Sequence, residues 1–322
     1  MDLIHTNAAG EDVGVIQKYT LDLAYGSEEN DFQLETGIGS KELEENAFIY
    51  IEGTEYGGII DGLQVDTEKQ LVHYLGRSFH GILNSHIIQP PAGEAYMVVS
   101  GEANAVVAEV IAALGVGNLF EVSTEDSGIR IPSTKVDRYI SGYDGINKVL
   151  KAAGAKLGMV YQDGKIHLEA KPVVNYAEDE QYTSDHYKFT IQKYNNKVNH
   201  LICLGSGELT ARQVVHLYVQ EDGSISTENQ FYTGLDEYAA VYDYSAVESI
   251  EELEKYGREH LQELHNCDSA EMELFEEEAV LDINDIVGTT EEVTGLNITN
   301  RVVKKIVKIE NNAVKVEYKV GD

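Results

Sequence analysis

The segment at residues 59–83 constrains the fold of this chain most. Residues 59–68 read IIDGLQVDTE, an apolar stretch that ends in a polar turn. A second apolar stretch breaks at Gly76 and continues through Arg77 and Ser78 into the short amphipathic sequence FHGIL. Short apolar runs bounded by turn residues are typical of strands. The segment therefore predicts two strands followed by a short amphipathic element, and none of its residues suggests chemistry.

The length and composition indicate a globular chain of more than one domain. With 322 residues, 43% of them hydrophobic, the chain can form two or three domains with real cores. No stretch approaches the roughly 18–20 apolar residues of a membrane helix, and the first residues, MDLIH, lack a basic region. We therefore expect a soluble chain without a secretory signal.

The chain is strongly acidic. Its 56 acidic and 24 basic residues give a net charge of −32, which argues against a phosphate-binding surface because nucleic-acid affinity depends largely on Lys and Arg. Solubility or a saline habitat would explain this balance. So would a surface along which DNA must pass without binding.

The first region, residues 1–99, has the pattern of a β domain. Four stretches have strand character: residues 19–23, 32–34, 48–51 and the segment described above. The sequence PPAG at residues 90–93 closes the region and is the clearest boundary signal in the chain.

The second region, residues 100–172, predicts a small α+β domain. Apolar residues at helical spacing over 106–114 predict a helix capped by Ser100 and ended by Gly115. A second helix is expected after Asp144, ending before Gly154. The pattern then predicts a hairpin that turns at residues 163–164.

The third region, residues 173–322, predicts a second β domain with a helical insertion. Strands are expected at 187–191, 201–204, 214–219, 302–309 and 314–320, with a turn at residues 311–312. Ser249 and Glu252 form a capping-box pattern for a helix near 249–265. The predicted buried face of that helix carries Ile250, Leu253, Leu261 and Leu264.

Sequence motifs for catalysis or cofactor binding are absent. There is no GxSxG elbow and no HExxH motif, and the GSG at residues 205–207 has the context of a loop between strands. We therefore predict no catalytic, cofactor-binding or metal-binding residues and no cofactor. Chance pairs of carboxylates, as in glycoside hydrolases, occur throughout so acidic a chain.

Several residue groups have only part of the pattern that a metal site requires. Zinc ligands could come from His260, His265 and Cys267, but a spacing of five places the two histidines poorly on one helix face. A calcium site has no EF-hand-like loop to frame it; its ligands would be Asp282, Asp285, Glu291 and Glu292. Partly buried or surface positions are expected for His73, His80 and His86. Free thiols are expected for Cys203 and Cys267, with a disulfide as the alternative.

Residues 301–320 reverse the charge of the chain. Six basic residues stand here against Glu310 and Glu317: Arg301, Lys304, Lys305, Lys308, Lys315 and Lys319. This strand pair could meet an acidic surface of a neighbouring subunit. It could equally be an edge hairpin that lysines protect from aggregation.

Taken in order, four segments resemble the hub proteins of tailed-phage baseplates, in particular minor tail proteins of siphophages and prophages. These segments are residues 29–34; residues 58–62 with 75–83; residues 142–146 with 154–157; and residues 281–288 running through 305–309 to 318–321. They span nearly the whole chain. Some relatives continue into a fibre or a peptidoglycan-cleaving domain, whereas this sequence stops at Asp322, so a tail lysin would be a separate protein.

The resemblance implies a β-rich α+β chain with two β-barrel-like hub domains flanking the small mixed domain. It further implies a homotrimer at the virion tail tip, made in the bacterial host cytoplasm. The partners would be the sixfold distal tail protein ring, the tape-measure protein and a threefold fibre, spike or receptor-binding protein. DNA would pass without specific binding, and no membrane anchor is expected. The alternative is a cell-wall-directed hydrolase or carbohydrate-binding tail component that uses carboxylates and the 20 tyrosines.

Overall fold

The computed structural model describes residues 2–39, 43–179, 181–183, 188–192, 197–245, 247, 249–265, 269–274, 281–291, 293–310 and 313–321. The chain divides into two compact units. The first unit contains Met1–Thr190 and Glu271–Val320, and the second contains Ile191–Ala270 and Gly321–Asp322. No helix in the described ranges is long and apolar enough to cross a membrane.

The first unit is built on one large mixed sheet. Its strands are β1 Leu3–Thr6, β2 Asp12–Ile16, β3 Tyr19–Gly26, β4 Asp31–Gly37, β5 Phe48–Tyr50, β6 Gly57–Asp66, β7 Leu71–Ser78, β13 Gln181–Thr183, β14 Lys188–Gln192, β19 Ser269–Leu274, β20 Ile286–Thr290, β21 Asn297–Glu310 and β22 Ala313–Gly321. The order is β14-β19-β22-β21-β3-β4-β7-β6-β5-β1-β2, with β20 also paired to β21 and β13 to β20. The boundaries between the two units in the sequence, at residues 190–191 and 270–271, fall within β14 and β19.

The C-terminal strand β21 lies inside this sheet, between β22 and β3. In the antiparallel register, Val307 is opposite Leu23 and Ile309 is opposite Leu21. All four side chains are buried in one core with residues of β4 and β7. The basic strand pair is therefore not an edge hairpin, and that interpretation of residues 301–320 is wrong. The turn predicted at 311–312 lies outside the described residues.

The segment at residues 59–83 has the predicted structure. Strands β6 and β7 form an antiparallel pair with a register shift at residues 60–62. The Ser78 hydroxyl accepts a hydrogen bond from the Gly81 amide and caps the short helix α1, Phe79–Asn84. At Gly81 an added Cβ would lie 1.9 Å from the Asn30 carbonyl oxygen, so the close approach of this helix to the strand entry requires glycine.

The mixed region within the first unit contains two helices and two small sheets. Its elements are β8 Met97–Glu102, α2 Ala103–Leu114, β9 Phe120–Val122, β10 Arg130–Val136, α3 Gly142–Ala152, β11 Ala155–Gln162 and β12 Lys165–Pro172; the short helix α4, Tyr176–Asp179, follows the region. Strands β8 and β10 pair with each other, and β9 pairs with β12 in parallel. The predicted hairpin is β11–β12, whose turn residues Asp163 and Gly164 both have positive φ angles, as a tight hairpin turn requires.

Two predicted helix starts in this region are wrong. Strand β8 runs to Glu102, whose side chain caps α2, so Ser100 is part of the strand. Helix α3 begins at Gly142 rather than after Asp144, because the Ser141 hydroxyl accepts a hydrogen bond from the Asp144 amide. The predicted end of α2 at Gly115 is confirmed by its left-handed conformation, φ 72°.

The second unit consists of a four-stranded sheet and one helix. The strands are β15 His200–Leu204, β16 Val214–Val219, β17 Ile225–Ser226 and β18 Ala239–Asp243, in the order β17-β16-β15-β18. The GSG at residues 205–207 lies in the β15–β16 connection, as predicted. The helix is α5, Ile250–His265.

The helix α5 covers one face of this sheet. The Ser249 hydroxyl accepts a hydrogen bond from the Glu252 amide at 3.1 Å, which is the cap that the capping-box pattern predicts. Leu253 and Leu261 are buried against β15 and β16, and Leu264 packs at the edge of the same core. Ile250 is 52% exposed, so its predicted place on the buried face is wrong: it occupies the first helical position, one turn before the packing begins.

The fold class is therefore β-rich α+β, as predicted, with several antiparallel and mixed sheets. Among the described strands the pairings give open sheets rather than a closed ring. Tyr187 and Cys267, which were part of sequence predictions, lie outside the described residues.

Candidate functional site

A group of ionisable side chains, three of the four buried, lies within the first unit; we call it the Lys305 cluster. It consists of Lys305 on β21, Glu55 in the β5–β6 turn, Tyr25 on β3 and His80 on α1. Lys305 is 1% exposed and its Nζ lies 2.7 Å from the Glu55 carboxylate. The Tyr25 hydroxyl donates a short hydrogen bond to the same carboxylate.

Aromatic rings complete the cluster. The His80 ring stacks on Tyr25 with centroids 4.0 Å apart and meets Tyr143 edge-on at 5.4 Å. The Lys305 ammonium lies 5.5–5.8 Å from the ring centroids of three tyrosines, Tyr25, Tyr56 and Tyr318. These distances permit cation–π attraction, which is strongest where water is excluded.

The protonation states of the cluster follow from burial and from the ion pair. Burial opposes ionisation of Glu55, but Lys305 and His80 outweigh it and hold the pKa of that carboxyl below its usual range. Burial likewise opposes the charge on Lys305, yet Glu55 raises the pKa of the ammonium. Desolvation lowers the pKa of His80 to about 4, and burial followed by Glu55 raises the pKa of Tyr25 well above its usual value. At neutral pH the pair is ionic, His80 is neutral and Tyr25 is protonated.

A second buried ion pair lies close to the first. The Lys156 ammonium contacts both oxygens of Asp285, at 2.8 and 2.7 Å, and one oxygen of Asp282 at 2.7 Å. Asp285 is fully buried and also accepts hydrogen bonds from the amides of Val174 and Asp282. Burial works against the charged form of Lys156, but the two aspartates raise its pKa. The group fixes β11 to the segment that leads into β20.

A cavity of about 250 Å³ lies beside both groups. Its lining includes Tyr25, Glu55, Tyr56, His80, Tyr143, Asp282 and Lys305. The buried Nδ1 of His80 has no hydrogen-bond partner within the described residues. A cavity of this size and polarity has room for water, which would satisfy that nitrogen.

The structure also places the residues weighed for metal binding. In the described part of the chain, no group of three or more His, Cys, Asp or Glu side chains could hold a metal ion. Asp282 and Asp285 are taken up by Lys156, and Glu291 accepts hydrogen bonds from the Val293 and Thr294 amides. The four carboxylates considered as calcium ligands in the sequence are therefore not brought together as far as the structure describes them, and Glu292 lies outside the described residues.

The histidines set aside in the sequence have local partners. His260 faces Glu263 one helical turn away, and His265 contacts the carbonyl oxygen of Val198. His73 and His86 are half-buried, while His80 is 3% exposed. Cys203 is a buried free thiol whose pKa burial raises to about 11, so it is an inert core residue.

Three of the six basic residues of 301–320 contact acceptors inside the unit. Lys304 contacts Glu29 on the β3–β4 turn, Lys305 contacts Glu55, and Arg301 donates to the Asn284 carbonyl. Lys304 and Lys305 are both buried. Sequence reasoning noticed the charge but not its partner, because Glu55 lies 250 residues away from Lys305. A lysine in the middle of an apolar strand pattern is the one signal that could have indicated a buried pair.

Comparison with solved structures places this architecture among known folds. The chain aligns with the 43 kDa tail protein of prophage MuSo2 from Shewanella oneidensis at 13% identity and a TM-score of 0.59, over 99% of this chain and 98% of that one. The chain has the fold of phage and prophage tail proteins. A tail protein from Neisseria meningitidis MC58 aligns at 10% identity and a TM-score of 0.57, over 100% and 96% of the two chains.

A chain in the structure of the phage P2 baseplate, in its activated conformation with Ca, aligns at 9% identity. The TM-score is 0.50, and the match covers 99% of this chain and 98% of that one. No protein-family model and no curated protein matches the sequence. The resemblance predicted from four short segments is confirmed at the level of the fold.

Proposed function

We propose that this chain is a non-enzymatic structural protein of a phage or prophage tail that forms a trimeric baseplate hub. The hub would join the sixfold tail tube and distal tail ring to a threefold tip device at the virion tail tip. The observation that carries this proposal is the end-to-end fold similarity to prophage tail proteins, with 99% and 98% of the two chains covered. A match of both lengths indicates the same set of modules in the same order.

The interior of the first unit supports a structural role. The buried ionisable groups described above are paired with opposite charges or held neutral, and they connect strands far apart in sequence. Breaking a buried pair of this kind costs several kcal/mol, so the network ties the C-terminal strand to the N-terminal sheet. This arrangement favours a rigid part over an enzyme, whose reacting groups need pKa values near the working pH.

In the assembled hub, two β-barrel-like modules per subunit would build a pseudo-sixfold ring. We assign the first to residues 1–99 and the second to residues 173–322, with the small α+β domain at residues 100–172 beside them. Three pseudo-equivalent pairs match a sixfold partner because a trimer with two similar modules presents six similar faces. The partners would be the distal tail ring, the tape-measure protein and a fibre, spike or receptor-binding protein.

The charge supports passage of the genome. Three copies of a chain with a charge of −32 give 3 × −32 = −96, and an acidic channel wall would repel the phosphate backbone and let DNA slide without binding. The acidic composition then has a mechanical purpose.

The test is the solution mass by light scattering, with and without a distal tail protein ring. The proposal predicts roughly 107 kDa for the chain alone, three copies of a 35.6 kDa chain, or an increase of that size over the mass of the ring when the ring is present. A monomer that ignores the ring would contradict it. In that case an assay on purified cell walls would test the hydrolase alternative, and a flat result for the unmodified protein would exclude that activity.

A further inference from the structure

The second unit carries an uncovered sheet face with two histidines side by side. Strands β15 and β16 are antiparallel, with Ile202 opposite His216 and His200 opposite Tyr218. Since side chains alternate across a strand, His200 and His216 lie diagonally on one face, while Leu201 and Leu217 point to the core under α5.

The surroundings show that this face is open. Val241 and Val214, which the register places on the same side of the sheet, are 62% and 47% exposed. His200 is 7% exposed and His216 is half-buried. One imidazole is therefore held firmly in the structure and the other can be reached from solvent.

The two rings direct nitrogen atoms at each other. The Nε2 of His200 lies 2.8 Å from the Nδ1 of His216. On the other side of His200, its Nδ1 lies 2.6 Å from the Glu237 carboxylate. A carboxylate accepts but cannot donate, so Nδ1 carries a proton, and in the neutral form of the ring the lone pair of Nε2 points towards His216. Most metal-binding histidines donate their other ring N–H to an acceptor of this kind, a carboxylate, a backbone carbonyl or a water.

We propose that His200 Nε2 and His216 Nδ1 bind one divalent first-row metal ion of the class that prefers imidazole, namely Cu²⁺, Ni²⁺ or Zn²⁺. Glu237 is the positioning residue. Two nitrogens on a tetrahedral zinc ion lie about 3.4 Å apart, so the pair must open by about half an ångström, and the more exposed His216 ring is the one that moves. Its proton passes from Nδ1 to Nε2, so the neutral ring binds with no net change in protonation.

The remaining coordination positions are open. Within the described residues no third His, Cys, Asp or Glu completes the site, so water would fill them. The carboxylates of this acidic chain attract any cation by charge, whereas an imidazole pair discriminates between metals. Affinity should follow Cu²⁺ above Ni²⁺ and Zn²⁺, with Mg²⁺ far weaker.

The experiment is calorimetric titration of the full chain with ZnCl₂ in a large excess of Mg²⁺, which occupies the general acidic sites. We expect one Zn²⁺ per chain, loss of this binding in His216→Asn, and a roughly 10- to 100-fold weaker affinity in Glu237→Gln. The control is His167→Asn, which changes a histidine of the first unit that contacts the Gln162 carbonyl and should bind as the unmodified protein does. Zn²⁺ binding that survives in His216→Asn, or that Mg²⁺ abolishes, would overturn the site.

A second measurement keeps the test independent of heat changes. The electron paramagnetic resonance spectrum of Cu²⁺ bound to the full chain should show coupling to two nitrogens, and His216→Asn should remove one of them. A spectrum with oxygen ligands alone would overturn the assignment. Far-ultraviolet circular dichroism of each variant confirms that the partly exposed position tolerates the substitution.

Discussion

The Lys305 cluster and the His200–His216 pair both place ionisable groups on a sheet, but they are built in opposite ways. In the first unit, Lys305 is enclosed by tyrosines and its charge is met by Glu55 at 2.7 Å. In the second, the two histidines lie on a face with exposed valines, and two of their ring nitrogens lie 2.8 Å apart. The Lys305 cluster can contribute rigidity, whereas the His200–His216 pair can bind the metal ion that we propose.

The difference teaches where function should be sought in a structural protein. Enclosed charges are costly to disturb because the partner that remains cannot return to water. Charges on an open face are screened and can exchange partners at little cost. Substitutions in the two units should therefore have very different effects on the free energy of unfolding.

The largest effect is expected from Lys305→Met. It removes the buried cation and leaves Glu55, whose side chain is 18% exposed, without its partner, which should cost about 3–5 kcal/mol of unfolding free energy, measured by urea denaturation. The double variant Lys305→Met with Glu55→Gln removes the orphaned charge and should recover much of this loss. A single variant that costs less than about 1 kcal/mol would show that the cluster is solvated and would remove the contrast between the units.

The next effect is a loss of stability in acid that depends on His80. Its folded-state pKa is about 4, below the ordinary 6.5, so the unfolded chain binds the extra proton first. Above about pH 6.5 the proton of His80 has no effect on the free energy of unfolding. As the pH falls from 6.5 towards 4, the free energy of unfolding decreases by roughly 3 kcal/mol.

The variant His80→Phe isolates this term. Phenylalanine keeps the stack on Tyr25 and removes the buried nitrogen that has no partner in the described part of the chain. Its unfolding free energy should vary less with pH between 6.5 and 4 than that of the unmodified protein. Parallel pH profiles for the two proteins would contradict the assigned protonation state.

A smaller effect is expected from Gly257→Ala in the second unit. An added Cβ would lie 2.4 Å from the Cys203 sulfur and 2.8 Å from a Leu217 methyl group, so the helix must shift at a cost of about 1–3 kcal/mol. Cys203→Ala in the same chain makes room and should return part of the loss. The control is Gly62→Ala, where no atom lies within 4 Å; equal losses at both glycines would contradict the packing of α5.

The smallest effect is expected from Arg212→Gln. Arg212 pairs with Asp243, whose side chain is 57% exposed, on the open face of the second unit. Removing an exposed pair should change the unfolding free energy by no more than about 1 kcal/mol. A loss as large as that of Lys305→Met would mean that this face is covered in solution.

Local structure was predictable because its causes are local. The alternation of residues 155–172 and the Asp163–Gly164 turn specify a hairpin, and the Ser249 cap specifies the start of α5. Helix starts were less certain because a neighbouring strand can overrun a good cap, as β8 does at Ser100. A capping pattern does not predict how far the preceding strand extends, so it cannot fix where the helix begins.

Long-range pairing was not predictable from one sequence. The contact between β21 and β3 joins opposite ends of the chain, and nothing in either strand specifies its partner beyond an apolar alternation common to most strands. The Glu55–Lys305 pair and the Glu237–His200–His216 chain follow from such pairings, so periodicity could not reveal them. The resemblance over the whole chain predicted the fold correctly because it depends on the order of four segments along the chain, which a single motif does not contain.

The most direct test of the central claim is a reconstruction by electron cryo-microscopy of this chain bound to a distal tail protein ring. The account predicts three copies seated on the sixfold ring, around a channel lined mainly by Asp and Glu. A particle without threefold symmetry, or a channel wall that is neutral or basic, would contradict it.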